Sequence, residues 1–235
     1  MIPPPPSLFP PRSLFRWMLE ILLEPRTAMR RMKERPPFLS FYFGSSILLA
    51  ALSWTILSVN ERAMTRLLSD GVRKEVVEQT RRDLHVKKLA RVAGAPVEIL
   101  FDASAAVMAI CSGSVLCGRS PPIRTILTAA IGAEAPQLLS LATDLEHLWS
   151  EGPEVSLDLR PLVRCSTSLG AFVSLSVHVG PVECALEEIS PFTIWSAGLA
   201  GIALRELQGA SRGRTIAVSC AALLLRAAIG AARGA

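Results

Sequence analysis

The sequence predicts an all-α integral membrane protein, a bundle of about five transmembrane helices with an amphipathic interfacial helix at its N-terminal end. Three observations carry this. Half of the residues are hydrophobic and only 19% are charged, with a mean hydropathy of +0.39, whereas soluble domains hold about a quarter charged residues. The apolar residues fall in blocks rather than at amphipathic spacing. Basic residues, 21 Arg against 4 Lys in a chain of net charge +5, lie beside those blocks, where they meet anionic lipid headgroups.

Taken in order, residues 1–12, MIPPPPSLFPPR, form a proline-rich tail expected to be disordered or polyproline II, with none of the layout of a secretory signal. Residues 13–36 read as the interfacial helix, bent or split at Pro25. Its first half is apolar, with Trp17 placed for the interface. A basic cluster of Arg30, Arg31, Lys33 and Arg35 follows, expected to anchor the helix in the headgroup plane.

Residues 37–235 form the membrane domain. Its clearest span, 37–59, has no charge over the twenty or so residues that cross a hydrocarbon core of about 30 Å, and Phe41, Tyr42 and Trp54 sit near its ends. Residues 60–92 are the most polar of the chain and predict one amphipathic helix outside the membrane. A second span is expected near 97–117, with Glu98 and Asp102 in its first turns, where the helix dipole favours carboxylates. A third, near 122–148, begins after Pro121 and Pro122 and carries Glu134 in its middle, followed by Pro136 and Gln137. A carboxylate at that depth is expected to face the bundle interior and to be neutral or paired, for example with Gln137 one helical turn away.

The mixed stretch 150–183 contains two pieces of period-two alternation, 154–160 and 172–179, which read either as a β-hairpin or as a loop with a re-entrant segment. Two further spans are expected near 186–205 and 214–230. Gly209 ends the first in the left-handed conformation, Arg212 and Arg214 lie at a membrane surface, and Arg226 is expected to snorkel out of the second.

Three stretches together resemble a known pattern: LLEPRTAMRRMKERPPFLSF, CGRSPPIRTILTAAIGAEAPQLL and ISPFTIWSAGLAGIALRELQGASRGRT. In this order they are similar to the YIP family (Ypt-interacting proteins), in its bacterial branch. The resemblance implies five membrane helices, a cytoplasmic N-terminus and a C-terminus on the opposite side, and it brings no catalytic residues. The acidic residue at Glu134 departs from the pattern. The Arg-over-Lys, Ala-rich composition is that of a GC-rich bacterial genome, so the expected location is the bacterial cytoplasmic (inner) membrane.

For function, no G-x-S-x-G, H-E-x-x-H, P-loop or G-x-G-x-x-G is present, so no enzyme, catalytic residue or cofactor is expected. The five cysteines have no zinc spacing, so no metal is expected, and only Cys165 with Cys184 is placed to pair. A single Tyr and the lack of any binding motif exclude nucleic acid as a partner. The expected role is a non-enzymatic membrane adaptor or scaffold. It would engage anionic lipids and other membrane proteins, or a second copy of itself, through the 60–92 helix and small-residue faces such as Ala129, Ala130, Gly132 and Ala133. The alternative is a subunit of a transport or lipid-handling complex with Glu134 as an intramembrane proton or cation site, and Gln137, Glu98 and Asp102 as further polar candidates.

Overall fold

The computed structural model describes residues 14–34, 36–69, 74–118, 121–150, 168–169 and 180–233. The proline-rich tail, Arg35, Cys165, His178 and the alternating pieces 154–160 and 172–179 lie outside the described residues. Among the described residues there is no strand. The helices are α1 Leu14–Leu23, α2 Pro25–Glu34, α3 Phe38–Ser69, α4 Lys74–Leu116, α5 Ile123–Ala133, α6 Ala135–Ser150, α7 Pro181–Glu187, α8 Pro191–Gln208 and α9 Arg212–Arg233.

Four segments are long and apolar enough to cross a membrane: 38–59 in α3, 78–116 in α4, 123–143 through α5 and α6, and 212–232 in α9. The chain is accordingly a multi-pass membrane protein with an all-helical bundle. The segment expected as a fifth span, 186–205, forms the helix α8, a few residues further toward the C-terminus, and is not among the four segments long and apolar enough to cross. Ser190 accepts a hydrogen bond from the Thr193 N–H at 3.1 Å and caps the helix, and Pro191 opens it. Gly209 closes it with φ 71°, its N–H returning to the Arg205 carbonyl at 2.7 Å.

The central position belongs to α5 and α6. In their span 72% of residues are buried, against 28% for the α3 span and 17% for that of α9, so α3 and α9 turn most of their apolar surface outward, as lipid-facing helices do. One end of the bundle, the N-terminal face, holds α1, α2, the end of α4, the start of α5 and the turn at 209–211. It is tied by Arg30 Nε donating to Glu206 at 2.6 Å, by Gln208 donating to Ser114 Oγ, and by Arg214 against Cys117 Sγ at 3.6 Å. The opposite face carries α7 and the extensions of α3 and α4.

Three expectations change. Residues 60–92 are not one helix: 60–69 are the last turns of α3 and 74–92 the first turns of α4, so the two spans continue into polar ends tied by Lys88 to Glu61. The hydrophobic pattern changes at the membrane boundary while the helical backbone does not. Consequently Glu98 and Asp102 are not near a helix start; they sit mid-way along α4, where the dipole offers them nothing. Finally, α1 and α2 do split at Pro25, but they dock on the bundle as well as facing its surroundings. Ile21, Ala28, Met29 and Met32 are wholly buried, and Trp17 packs edge-on against Phe41 with ring centroids 6.0 Å apart. Gly132 makes room for this: a Cβ there would lie 3.1 Å from Ile21 Cδ1. Arg30, Arg31 and Lys33 point outward on the same face as Arg212 and Arg214, so the described anchoring candidates share one end of the molecule, with Arg31 also bound to Glu20.

Candidate functional site: a polar cleft in the membrane domain

Pro136 has no N–H to continue the helix and its ring crowds the carbonyl four residues back, so α5 stops at Ala133 and α6 restarts at Ala135. Glu134 is the hinge between them, with φ −82° and ψ −1°, and its N–H turns back to the Ile131 carbonyl at 3.1 Å. This break aims a carboxylate out of the most central helix and into the bundle.

Its partner is Arg226. The Arg226 Nη1 donates to Glu134 Oε2 at 2.5 Å, and Nε of the same guanidinium donates to Glu188 Oε2 at 3.2 Å. Asp102 of α4 acts electrostatically on both Glu134 and Arg226. Arg226 therefore does not snorkel: with carboxylates from two other segments at its own depth, it has no reason to reach for water. Nor does Gln137 serve Glu134. Its Nε2 donates to Thr193 Oγ1 at 3.1 Å, and Thr193 in turn lies 2.9 Å from Ser190 Oγ, so Gln137 fastens α6 to the start of α8 beside Glu188. Glu98 is paired with Arg91 at 3.1 Å, two turns of α4 closer to the opposite face.

Depth follows from helix geometry. Asp102 lies fourteen residues before the end of α4 and Arg226 fourteen after the start of α9, which places both about 21 Å from the N-terminal face at 1.5 Å per residue. Against a hydrocarbon core of about 30 Å, that distance sets the cluster well inside a span rather than at its N-terminal end. A cleft of about 250 Å³ runs from there, lined by Arg91, Glu98, Asp102, Glu134, Glu187 and Glu188 among others. Side-chain exposure rises along it, from 5% at Glu134 through 12% at Arg226 and 21% at Glu188 to 31% at Arg91, so Glu134 is the floor and Arg91 the mouth. Beneath the floor, toward the N-terminal face, Ile21, Met32, Phe41 and Ile131 are buried beside Gly132.

One wall depends on a missing side chain. At Gly230, one turn after Arg226, a Cβ would meet the Cys184 carbonyl at 2.7 Å, so glycine lets α9 lie directly on α7 and holds Glu188 over Arg226. Among the described residues no group of three or more His, Cys, Asp or Glu is arranged to hold a metal ion, and Cys184 is a free thiol on the cleft wall.

The structure thus gathers Glu134, Asp102 and Glu98 into one cleft, with Gln137 bracing it, and leaves the basic anchoring residues at the far end. Arg226, expected from the sequence only to snorkel, joins the site, as do Glu188, Thr193 and Arg91, which the sequence did not mark as site residues. The signal for Arg226 was present: two opposite charges, each lodged alone in an apolar run, are each other's natural partner. Glu188 and Thr193 carried no such signal. Comparison with known proteins adds nothing further, since no family model, curated protein or solved structure matches the chain.

Proposed function

We propose that this is a non-enzymatic protein of a transport or lipid-handling complex in the bacterial inner membrane, and that the Glu134 cleft receives a small polar group from one face of the bilayer. The observation behind this is the cleft itself: about 250 Å³, charged from mouth to floor and set among the membrane-spanning helices. Ionisable groups at that depth are costly, and proteins hold them there chiefly for ions, protons or substrates. Membership of the YIP family belongs to the same proposal. Its support is the order of the three motif stretches, which include the whole of α2 with the start of α3, the whole of α5, and the whole of α8.

Thermal unfolding of the purified protein in lipid nanodiscs tests the ligand-binding reading, using a panel of small ammonium, carboxylate, phosphate and divalent metal compounds. A ligand at a hundred times its Kd stabilises the folded state by about 2.7 kcal/mol, so at least one class should raise the midpoint. A panel with no effect defeats the reading.

A second reading, the adaptor or scaffold, has its own observation. Val76, Val86 and Leu89 are exposed among the charged residues of the polar end of α4. The small residues first considered for partner contacts are less available: Ala129, Ala130, Ala133 and Ala200 are fully buried within the chain's own bundle. A defined heteromeric complex in mild detergent that is lost on Val86→Ser/Leu89→Ser, together with an inert cleft, favours this reading over the first.

A further inference from the structure

Hydroxyl side chains in the long helices of this protein have a usual way of being satisfied. Ser46, Ser114, Thr128 and Ser219 each donate to the carbonyl four residues back in the same helix. Ser196 of α8 does not. It is only 4% exposed, and among the described residues its Oγ has no hydrogen-bond partner, the Phe192 carbonyl one turn earlier included. Buried hydroxyls are normally paired, because leaving one unpaired forfeits the hydrogen bonds it makes in water.

Ser196 instead lines a small chamber of about 10 Å³, together with Thr193, Glu134 and Arg226. Ala106 of α4 and Ala222 of α9 are among its apolar walls. The chamber adjoins the cleft, since Glu134, Thr193 and Arg226 line both. Its volume is about what one water molecule needs, and it leaves no room for a larger body.

The neighbouring charges narrow the occupant further. Glu134 accepts a hydrogen bond from Arg226 on Oε2, and a carboxylate can accept roughly three more. A buried ion pair is well held only when additional hydrogen bonds satisfy such positions. A cation in the chamber would meet the Arg226 guanidinium, and an anion the Glu134 carboxylate. A neutral molecule that both donates and accepts suits the pair and the Ser196 hydroxyl together.

We infer that the chamber binds one water molecule, held jointly by the Ser196 hydroxyl and the Glu134–Arg226 pair. The water gives Ser196 its partner and donates to the Glu134 carboxylate. It thereby fastens α8 to the ion pair that already joins α9 to the break between α5 and α6. This site does not depend on the larger cleft taking a ligand.

Oxygen-17 magnetic relaxation dispersion, which counts long-lived internal waters, tests the inference on the full chain in lipid nanodiscs. Two variants act on the chamber in different ways: Ala106→Val takes up its space, and Ser196→Ala removes the hydroxyl. Each should lower the count by about one molecule relative to wild type. Cys184→Ser, on the cleft wall but outside the chamber, should leave the count unchanged. The thermal unfolding midpoint gives an independent sign. With a water in place, Ser196→Ala leaves that water short of a partner and lowers the midpoint. With a dry chamber, the same change deletes an unpaired hydroxyl and raises it. Wild-type counts in both variants, or a raised midpoint for Ser196→Ala, overturn the inference. A loss in Ala106→Val alone reveals a water that Ser196 does not hold, and overturns the assignment to that residue. Should Ala106→Val fold poorly, the count and midpoint of Ser196→Ala decide.

Discussion

Two arginine–glutamate pairs at opposite depths of this protein have the same chemistry and different consequences. Arg30 and Glu206 meet at 2.6 Å on the N-terminal face, where the arginine side chain is 71% exposed. Arg226 and Glu134 meet at 2.5 Å inside the bundle, where their side chains are only 12% and 5% exposed. Water solvates Arg30 whether or not its partner is present, so such a pair contributes about 0–1 kcal/mol. Arg226 has no such alternative. The comparison shows that the interior pair is held by the cost of separating it rather than by the attraction alone, and that the cleft around it cannot be remodelled one residue at a time.

Breaking the interior pair should therefore have the largest effect. Arg226→Met leaves Glu134 and Glu188 without their shared donor, and loss of one partner of a buried pair costs about 3–5 kcal/mol. The expected result is a large fall in the nanodisc unfolding midpoint or in the yield of folded protein. Arg226→Met combined with Glu134→Leu should recover a substantial part of that loss, because the pair is then replaced by apolar groups. If the double variant is no better than the single one, the stability of this region does not come from the pair.

Next in size is the wall that sets the pair's geometry. Gly230→Val drives a side chain toward the Cys184 carbonyl, which a Cβ alone would approach to 2.7 Å. Overpacking of this kind costs about 1–3 kcal/mol. Because α7 must yield, Glu188 should move off Arg226 and Cys184 should be alkylated at a changed rate. An unchanged rate would mean that the two helices are not in contact as described.

How much of this was readable beforehand differs between the same two regions. The fold class, the spans in α3 and α9, the split at Pro25 and the glycine end of α8 follow from local signals: apolar length, proline and left-handed glycine. Glu134 stood out because its neighbours are apolar. Its partner was misassigned because snorkelling is decided from one helix at a time, whereas Arg226 meets Glu134 across 92 positions of sequence. The placement of Glu98 and Asp102 failed for a related reason. Hydropathy marks where a membrane begins, and α4 runs through that boundary without a break, so a change in polarity was mistaken for a helix start. The docking of α1 and α2 was equally invisible, since an amphipathic face is the same whether it meets lipid or Gly132.

A smaller effect is expected where a hydrogen-bonded turn positions the cleft without carrying its charge. Ser190→Ala removes the cap of α8 and the hydroxyl that pairs with Thr193 Oγ1, itself the acceptor of Gln137. Cap losses of this type cost about 0.5–2 kcal/mol. The expected midpoint shift lies clearly below that of Arg226→Met, and Ser190→Asp, which restores the cap acceptor, should return most of it. Equal losses in the alanine and aspartate variants would show that the cap is not what matters there.

The smallest effect belongs to the exposed pair with which the comparison began. Arg30→Ala removes a solvated guanidinium from Glu206, whose own side chain is 8% exposed. Two outcomes are distinguishable. If the pair behaves as a surface bridge, the unfolding midpoint stays within the range of about 1 kcal/mol or less and moves even less in high salt, where such attractions are screened. If the burial of Glu206 governs, the variant loses markedly more and Arg30→Ala/Glu206→Gln is milder than the single change. We expect the first, because Glu206 lies on the last turns of α8 at the N-terminal face, where the neighbouring Arg31, Lys33 and Arg212 supply positive charge that Arg226 at the cleft floor does not have around it.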